Sequence, residues 1–447
     1  QAAFAAMLDH ADRHLARLVA FLVEAGLRDN TLILVLSDNG ASQEGGPLGM
    51  VNAMGPYNGK PEPMEEKIAR IDDIGGPATH SNFPWGWAMA SNTPLKRYKQ
   101  NTHGGGIRDP LVVSWPAGVK ARGELRHQFR HACDVTPTVL ESVGITPPDT
   151  IAGVTQQPIE GVSFAVSFGA TDPARGAAQY FEMFGHRGLW KDGWKAVAYH
   201  APGTDFDADK WELYHLDWDF SETEDLAAQH PEKLAELIGL WWVEAARCKV
   251  LPLDDRFGPR FAENAARVHG SRKRYVFHAG MGHLPTDVAP DVRARSFVVE
   301  ADVRAEAESE GVLIAHGDAT CGYTLFVRAG RLIYDMNVGG RHAVATSDRT
   351  IPPGHRRLGV AVRSGPGRRI ITLLVDGKAA GSVETELGFR NFVSWSGLDI
   401  GRDRGSPVAD YAAPFAFTGV LKKVTVTMDA DQALDGEAIG AAEMGRQ

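Results

Sequence analysis

The stretch LILVLSDNGAS, residues 32–42, decides the fold of the first part of the chain. Its apolar residues run without alternation into Asp38, Asn39 and Gly40. Such a run, placed directly after a helical segment, is typical of a strand buried on both faces in an α/β sheet. Asp-Asn-Gly is also favourable turn chemistry, so spacing alone predicts that these residues simply end the strand.

The flanking segments extend this prediction to a mixed sheet with flanking helices. Before the strand, apolar residues at three- and four-residue spacing predict a helix with one buried face and a C-cap at Gly26. These residues are Phe4, Met7, Leu8, Ala11, Leu15, Val19 and Leu22. Residues 41–95, rich in Gly, Pro and Asn, predict a long ordered loop region of the kind that often carries function. A strand at 111–115 and a helix at 135–143 follow.

The pattern changes after about residue 293. Short alternating strands at regular spacing, separated by Gly or Asp turns, predict an antiparallel β-sandwich. Asp376-Gly377, between two such strands, is a strong hairpin signal. The predicted domains are the C-terminal part of an α/β catalytic domain at 1–255, a linker at 256–292, the β-sandwich at 293–430 and a tail at 431–447.

The composition limits the classes of partner and the compartment. A net charge of −9 and a pI of about 6.0 argue against nucleic-acid binding. No apolar run approaches the roughly 20 residues that span a bilayer, so no membrane partner is expected. Cys133, Cys248 and Cys321 are far apart, predict neither a disulfide framework nor a zinc site, and favour a reducing compartment. On this ground we expect the cytoplasm. The periplasm is the alternative, because the chain opens in a helix at Gln1 and upstream sequence is expected to be missing.

Asp38 and Asn39 are the first candidate site. Neighbouring side chains of a strand point to opposite faces, so both can reach one ion only where the strand ends and bends, as Gly40 permits. Ligands usually bind at the carboxyl ends of strands in α/β sheets. Two hard oxygen donors there would suit Ca²⁺ or Mg²⁺. From these residues alone the turn remains the favoured interpretation.

The second candidate is the basic segment TPLKRYKQNTHGGG, residues 93–106. Its Lys and Arg side chains, followed by three glycines, could surround an oxyanion with ammonium groups and backbone N–H donors. A solvated basic loop is an equally good interpretation. His80 and His103 lie near these motifs in the sequence and could contact a substrate, although a single loop histidine is more often structural.

Together, these motifs make the chain resemble the type I, formylglycine-dependent sulfatases of the alkaline phosphatase superfamily. The similarity is to the C-terminal half of a large bacterial arylsulfatase and covers about residues 1–255. It is carried by LILVLSDNGAS, GWAMASNTPLKRYKQNTHGGGIRDPLVVSWP, HACDVTPTVLESVGI, GVSF and YFEMFGHRGLWKDGWKA.

The resemblance implies a function and a role for each site residue. Asp38 and Asn39 match the pair that coordinates the divalent cation, usually Ca²⁺, and Lys99 matches the lysine that binds the sulfate and neutralises charge on the leaving oxygen. Lys96 is the second candidate for that role. The implied substrate is a small-molecule or glycan sulfate ester, and His103 and His80 are candidate substrate contacts.

The chain also departs from the family pattern. Gly104 stands where members often carry Glu. No Cys-x-Pro-x-Arg or Ser-x-Pro-x-Arg signature, whose first residue becomes the formylglycine nucleophile, is present. The family's remaining metal ligands would also lie upstream. The chain is therefore expected to be inactive alone.

Two other functions stay open. A phosphodiesterase or phosphonate hydrolase of the same superfamily would share the metal ligands at the strand end. A non-catalytic carbohydrate-binding module is the alternative of another class, because the β-sandwich resembles concanavalin A/laminin-G-like modules. A packing role for that sandwich is weighed equally.

Overall fold

The computed structural model describes residues 1–120, 123–169, 175–269, 271–365 and 367–445. The helices in these residues are α1 (Ala2–Glu24), α2 (Met54–Tyr57), α3 (Met64–Ala69), α4 (Trp85–Ser91), α5 (Gly104–Ile107), α6 (Val135–Ser142), α7 (Pro231–Arg247), α8 (Phe257–His269) and α9 (Gly436–Met444).

The strands of the first half are β1 (Ile33–Leu36), β2 (Leu111–Ser114), β3 (Thr150–Ile151), β4 (Val154–Thr155), β5 (Gln179–Met183), β6 (His186–Lys191), β7 (Trp194–Ala198) and β8 (Trp211–His215). Those of the second half are β9 (Arg274–His278), β10 (Phe297–Ala305), β11 (Gly311–Asp318), β12 (Cys321–Arg328), β13 (Arg331–Val338), β14 (Arg341–Thr346), β15 (Gly354–Gly365), β16 (Arg368–Val375), β17 (Lys378–Thr385), β18 (Leu398–Ile400) and β19 (Val420–Met428).

The described chain forms two compact units. The first comprises Gln1–Gln43 and Gly86–Arg256, and the second comprises Glu44–Trp85 and Phe257–Gln447. The mixed α/β part and the all-β part predicted from the sequence are both present. Residues 44–85, grouped with the first part in the sequence, pack with the second unit instead.

In the first unit, α1 and β1 form where the sequence predicts them, but neither is buried. No residue of α1 is buried, and the side chains of Val35 and Leu36 are 38% and 46% exposed. The strand buried on both faces is therefore wrong for this chain, and the predicted helix face is at most half-buried, at Phe4, Leu15, Val19 and Leu22. For β1 the physical reason is that, among the described strands, it pairs with β2 alone, in antiparallel register.

A four-stranded antiparallel sheet, in the order β5-β6-β7-β8, forms the best-packed part of the first unit. Helix α7 packs on one face of it. The shared core consists of Leu189, Ala196 and Leu213 from the sheet and Leu237, Trp241 and Ala245 from α7. A turn at Lys191-Asp192-Gly193 joins β6 to β7, with Asp192 and Gly193 both at positive φ. This sheet provides the rigid support for the site described below.

The second unit is the predicted antiparallel β-sandwich. One sheet has the order β17-β16-β15-β10-β19-β9 and the other β14-β13-β12-β11-β18. Alternate side chains of both sheets meet in one core, which includes Val299, Tyr323, Tyr334, Val360 and Val424. The Asp376-Gly377 hairpin forms as predicted between β16 and β17.

Two segments expected to connect or end the domains are part of this unit. The segment 256–292, predicted as a linker, contains α8 and β9, and β9 pairs with β19 at the edge of the six-stranded sheet. Within the predicted tail, α9 packs against α8, where Gly440 lies close to the rings of Phe257 and Phe261. The composition of residues 256–292 resembles that of a linker because α8, although amphipathic, has few apolar residues.

In the described part of the chain, no helix is long and apolar enough to cross a membrane. The three cysteines are free thiols, and burial raises the pKa of Cys321 to about 12.

Candidate functional site

The turn after β1 and the basic segment meet in the first unit. The backbone N–H of Gly40 donates to the carbonyl oxygen of Gly106 at 3.3 Å, and that of Lys99 donates to Ala41 at 3.2 Å. Asn92 adds a side-chain link, since its Oδ1 accepts from the N–H of Ala41 at 3.0 Å. Two motifs separated by about 60 residues in the sequence therefore form one structure.

The glycines of both motifs are required by close backbone approach. A Cβ added to Gly40 would lie 1.7 Å from the carbonyl oxygen of Gly105, and one added to Gly105 would lie 2.1 Å from that of Arg97. A Cβ on Gly106 would lie 2.1 Å from the Asn101 oxygen. Gly104 differs, because its nearest neighbours, side-chain atoms of Leu95 and Glu222, are at 3.4 and 3.6 Å. The position where the family often carries Glu thus has room for a Cβ.

The backbone around Lys99 is bent in an unusual way. Arg97 and Gln100 have φ of 67° and 73°, in the left-handed region that residues with a Cβ rarely adopt. Asn92 holds this bend, because its Nδ2 donates to the carbonyl oxygens of Arg97 at 3.0 Å and Gly105 at 2.8 Å. Strained backbone held by its surroundings is typical of functional sites. Lys99 itself is buried, with 3% exposure.

Asp38 and Asn39 lie at the exposed end of this structure. The last pair of the β1–β2 register is Leu36 with Leu111, and continuing it by two residues places Asp38 opposite Asp109. Burial, together with the smaller effect of the Asp38 charge, raises the pKa of Asp109 to about 6. Negative charge therefore accumulates where the sequence predicts a cation.

The oxygen donors present fit part of a cation site. The side chains of Asp38 and Asn39 make no hydrogen bond to any other described residue, so their oxygens are available, and carboxylate and amide oxygens are what Ca²⁺ and Mg²⁺ prefer. Within the described ranges, no group of three or more His, Cys, Asp and Glu side chains is arranged to hold a metal. Since Ca²⁺ takes six to eight oxygen ligands, these residues would supply only part of its shell.

His103 and Lys96 point into a polar network on the four-stranded sheet. The Nε2 of His103 lies 2.9 Å from Oε2 of Glu212, and the ammonium of Lys96 donates to Glu212 at 3.2 Å and to the Tyr214 hydroxyl at 2.8 Å. Tyr214 donates to Glu212 at 2.7 Å. The His103 hydrogen bond, followed by that of Tyr214, holds the pKa of Glu212 well below its usual range.

This network places His103 in a supporting position. Burial lowers the pKa of His103, so the neutral ring donates through Nε2 to the ionised Glu212. Glu212 and Tyr214 were not among the candidates predicted from the sequence. Their two-residue spacing in β8 was a usable signal, because it places both on one face of the strand.

A second, deeper ion pair supports the glycine segment. Lys195 donates to Glu222 at 2.5 Å, and the other oxygen of Glu222 accepts from the N–H of Gly104 at 2.8 Å. Both charged side chains are about 98% buried or more. Thr102 adds a hydrogen bond from its hydroxyl to the carbonyl oxygen of Arg187 at 3.0 Å. The loop is therefore fixed to β6 and β7 as well as to β8.

His80 belongs to the second unit. Its ring lies edge-on to Trp395, with 4.1 Å between ring centroids, and burial lowers its pKa. The turn at residues 37–40, called the SDNG turn below, is thus surrounded by Asn92, the 96–106 loop and the supports of that loop on the sheet. The contacts found for His80 are those of a packed side chain.

Comparison with known proteins matches these elements. A family model described as "Sulfatase" covers residues 2–145, which contain the SDNG turn and the basic loop. A second, described as "N-sulphoglucosamine sulphohydrolase, C-terminal", covers residues 96–238, which contain the loop and its supporting sheet. Over residues 2–238 the chain is therefore similar to the sulfatase family.

Individual sulfatases match over part of their length. An uncharacterized sulfatase of Schizosaccharomyces pombe is 30% identical over 260 residues, which are 57% of this chain and 45% of that protein. The arylsulfatase of Klebsiella aerogenes is 29% identical over 183 residues, 41% of this chain and 37% of the enzyme. The chain therefore spans less than half the length of these curated relatives.

A solved structure from work on glycosaminoglycan metabolism by Bacteroides thetaiotaomicron also matches. Its TM-score is 0.34 at 19% identity, and the match covers 53% of this chain and 43% of that one. The similarity to sulfatases rests on the sequence matches, since the sulfatase match contains both motifs.

Proposed function

We propose that the chain supplies the cation-binding and leaving-group side of a sulfate ester hydrolase of the arylsulfatase type. The observation that carries this proposal is the direct hydrogen bonding of the SDNG turn to the Lys99 loop, by Gly40 to Gly106 and Lys99 to Ala41. In the sulfatases these two motifs serve one sulfate group. The reaction would convert the ester to an alcohol or phenol and sulfate.

Each residue has a defined role in this proposal. Asp38 and Asn39 would hold a divalent cation, Ca²⁺ or Mg²⁺, which as a Lewis acid polarises the sulfate oxygens. Lys99 would bind the sulfate and neutralise the charge that develops on the leaving oxygen. His103 would keep the loop in place through Glu212 and would not contact the substrate directly.

The nucleophile has to come from outside residues 1–447, because the sequence has no formylglycine signature. The exposed apolar surface of the first unit supports this proposal. Met7, Leu18 and Phe21 of α1 are 57%, 52% and 60% exposed, and Val112 of β2 is 58% exposed. Apolar surface of this extent on helix and strand is typical of an interface, and an upstream part of the catalytic domain would cover it.

The test is to compare the chain alone with the chain joined to the sequence encoded upstream of Gln1. The chain alone is expected to release no 4-nitrophenol from 4-nitrophenyl sulfate, and the joined protein is expected to release it in a reaction that EDTA stops. Asp38→Ala should abolish that activity, whereas Asp9→Ala, an exposed residue of α1 paired with Arg13, is the matched control. Activity of the chain alone, or full activity of Asp38→Ala, would refute the proposal.

A phosphodiesterase or phosphonate hydrolase is the alternative within the superfamily. It would use the same cation side chains with a Thr or Ser nucleophile. Bis(4-nitrophenyl) phosphate, assayed beside the sulfate ester, separates the two. Faster hydrolysis of the phosphate diester would favour the alternative.

The structure gives a specific reason to prefer packing over glycan binding for the β-sandwich. The outer face of the five-stranded sheet is covered by the chain's own segment 402–416, in which Tyr411 and Phe415 pack on Phe326. The hydroxyl of Tyr411 also donates to Thr324 at 3.0 Å. Glycan-array binding by residues 257–447 would count against this preference.

A further inference from the structure

Arg97 is held in a fixed position beside Lys99. Its backbone is in the left-handed region, and its carbonyl oxygen accepts from Nδ2 of Asn92 at 3.0 Å. The same oxygen is the atom that leaves no room for a side chain at Gly105. The backbone of Arg97 thus cannot shift without displacing the glycine segment, so its side chain leaves the loop in a defined direction.

The side chain of Arg97 rests on an aromatic platform. Its guanidinium carbon lies 4.0 Å from the centroid of the Tyr199 ring, at the short end of the cation–π range. The ring of Tyr199 stacks in turn on the His186 imidazole, with 4.6 Å between centroids and 27° between planes. Nδ1 of His186 accepts from the N–H of His200 at 3.0 Å, which fixes the imidazole. Tyr199 remains 42% exposed, so the platform opens to solvent.

The charge of Arg97 is not neutralised locally. Among the described residues, its guanidinium forms no ion pair and donates no hydrogen bond. The neighbouring cations differ, since Lys96 is paired with Glu212 and Lys195 with Glu222. Burial, together with the smaller effect of the Arg97 charge, lowers the pKa of His186 to about 4, so the imidazole is neutral at pH 7.

We propose that Arg97, held on Tyr199, binds a second anionic group of the substrate next to the sulfate ester. The inference rests on the proposed function. The Cα atoms of Arg97 and Lys99 are two residues apart, at most about 7 Å, so both side chains can reach one ring-sized ligand. A planar guanidinium binds carboxylate or sulfate oxygens in a bidentate manner. The substrate class is therefore a sulfate ester of a sugar that carries a carboxylate or a second sulfate.

The experiment compares the binding of three probes to the chain by calorimetry and by NMR of the arginine side-chain N–H groups. The probes are a methyl glucoside 2-sulfate, the corresponding glucuronoside 2-sulfate, and the glucoside 2,6-disulfate. The chain is expected to prefer at least one of the dianionic probes over the monosulfate by about 10-fold or more, as for a hydrogen-bonded charge pair. The probe preferred identifies carboxylate or sulfate as the second group.

In Arg97→Gln this preference should fall to about 1, and Tyr199→Leu should weaken it while Tyr199→Phe keeps it. Arg304→Gln is the matched control, because it removes the same charge from an exposed residue of the second unit. Equal affinity for all three probes, or the same preference in Arg97→Gln as in the unsubstituted chain, overturns the inference. The 4-nitrophenyl sulfate assay of the joined protein reports separately on the proposed function. Sulfatase activity without an Arg97-dependent preference refutes only the inference, whereas absence of hydrolysis refutes the proposed function.

Discussion

Gly105 lies where the backbone of the Lys99 loop passes over itself, and its replacement by Ala tests whether that contact fixes the site. The new Cβ would lie 2.1 Å from the carbonyl oxygen of Arg97, 2.6 Å from that of Lys96 and 2.7 Å from the carbonyl carbon of Arg97. All three are backbone atoms, so no side-chain rotation can relieve the clash. Overpacking of this kind costs about 1–3 kcal/mol, and the clash at Gly105 places the cost at the upper end of that range.

Part of this cost is offset in the unfolded chain. Ala in place of Gly removes backbone freedom there, which stabilises the folded protein by about 0.4–1 kcal/mol. The net loss expected for Gly105→Ala is therefore about 2 kcal/mol. The shift should also weaken the hydrogen bond from Asn92 to the Gly105 carbonyl, which is 2.8 Å long.

Gly104→Ala is the matched control, since its Cβ meets only side-chain atoms at ordinary contact distance. It should be neutral or slightly stabilising, because Ala is the better helix residue in α5. Both variants are compared by urea denaturation of the first unit, followed through its tryptophan fluorescence, with thermolysin cleavage of the loop as a second measurement. Equal stability of the two variants would refute the account of the loop.

Three further outcomes follow from the charges around the site. In the metal-free chain, the ¹³C resonance of the Asp109 carboxyl should titrate near pH 6. Asp38→Asn should lower the pKa of Asp109, because it removes the neighbouring charge. An unchanged titration midpoint would contradict the proximity of Asp38 and Asp109. Lys195→Met should destabilise the first unit by about 3–5 kcal/mol in urea denaturation, because it leaves Glu222 charged, buried and unpaired. Adding Glu222→Gln should recover part of that loss, and a loss below about 1 kcal/mol for Lys195→Met alone would show that the pair is not needed.

Local chemistry carried most of the fold prediction. The turns at Asp192-Gly193 and Asp376-Gly377 were predictable because two consecutive positive φ values favour those residue types. Helix α6 begins and ends within a residue of its prediction. Strands β14 and β9 pair at the edges of their sheets, and Gly339-Gly340, both at positive φ, form the turn that precedes β14.

Burial was harder to predict than secondary structure. The apolar spacing of α1 correctly identified a helix, but a periodic pattern shows only which face is apolar. Whether that face is covered depends on other elements, and the described residues leave it at most half-buried. The same applies to β1, whose uninterrupted apolar run gave the correct strand and the wrong degree of burial.

The candidate residues could be named from the sequence, but their contacts could not. Asp38, Asn39 and Lys99 stand in recognisable motifs, whereas Asn92, which joins the two motifs, resembles any other polar loop residue. Lys96 and Glu212 are 116 residues apart, so no local pattern could pair them. Long-range hydrogen bonds of this kind depend on how the loop lies on the sheet, which spacing does not encode.

The pairing of Lys96 with Glu212 affects which lysine is available to bind the sulfate ester. The ammonium of Lys96 already donates to Glu212 and Tyr214, and Glu212 also accepts from His103. Moving Lys96 towards a sulfate would leave Glu212, whose pKa lies well below its usual range, with one cation fewer. The cost of unpairing a partly buried carboxylate opposes such a movement. Lys99 instead lies between two left-handed residues, with its backbone bonded directly to the segment that carries Asp38 and Asn39. The contacts of Lys96 are therefore those of a support of the loop, in keeping with the role proposed for Lys99.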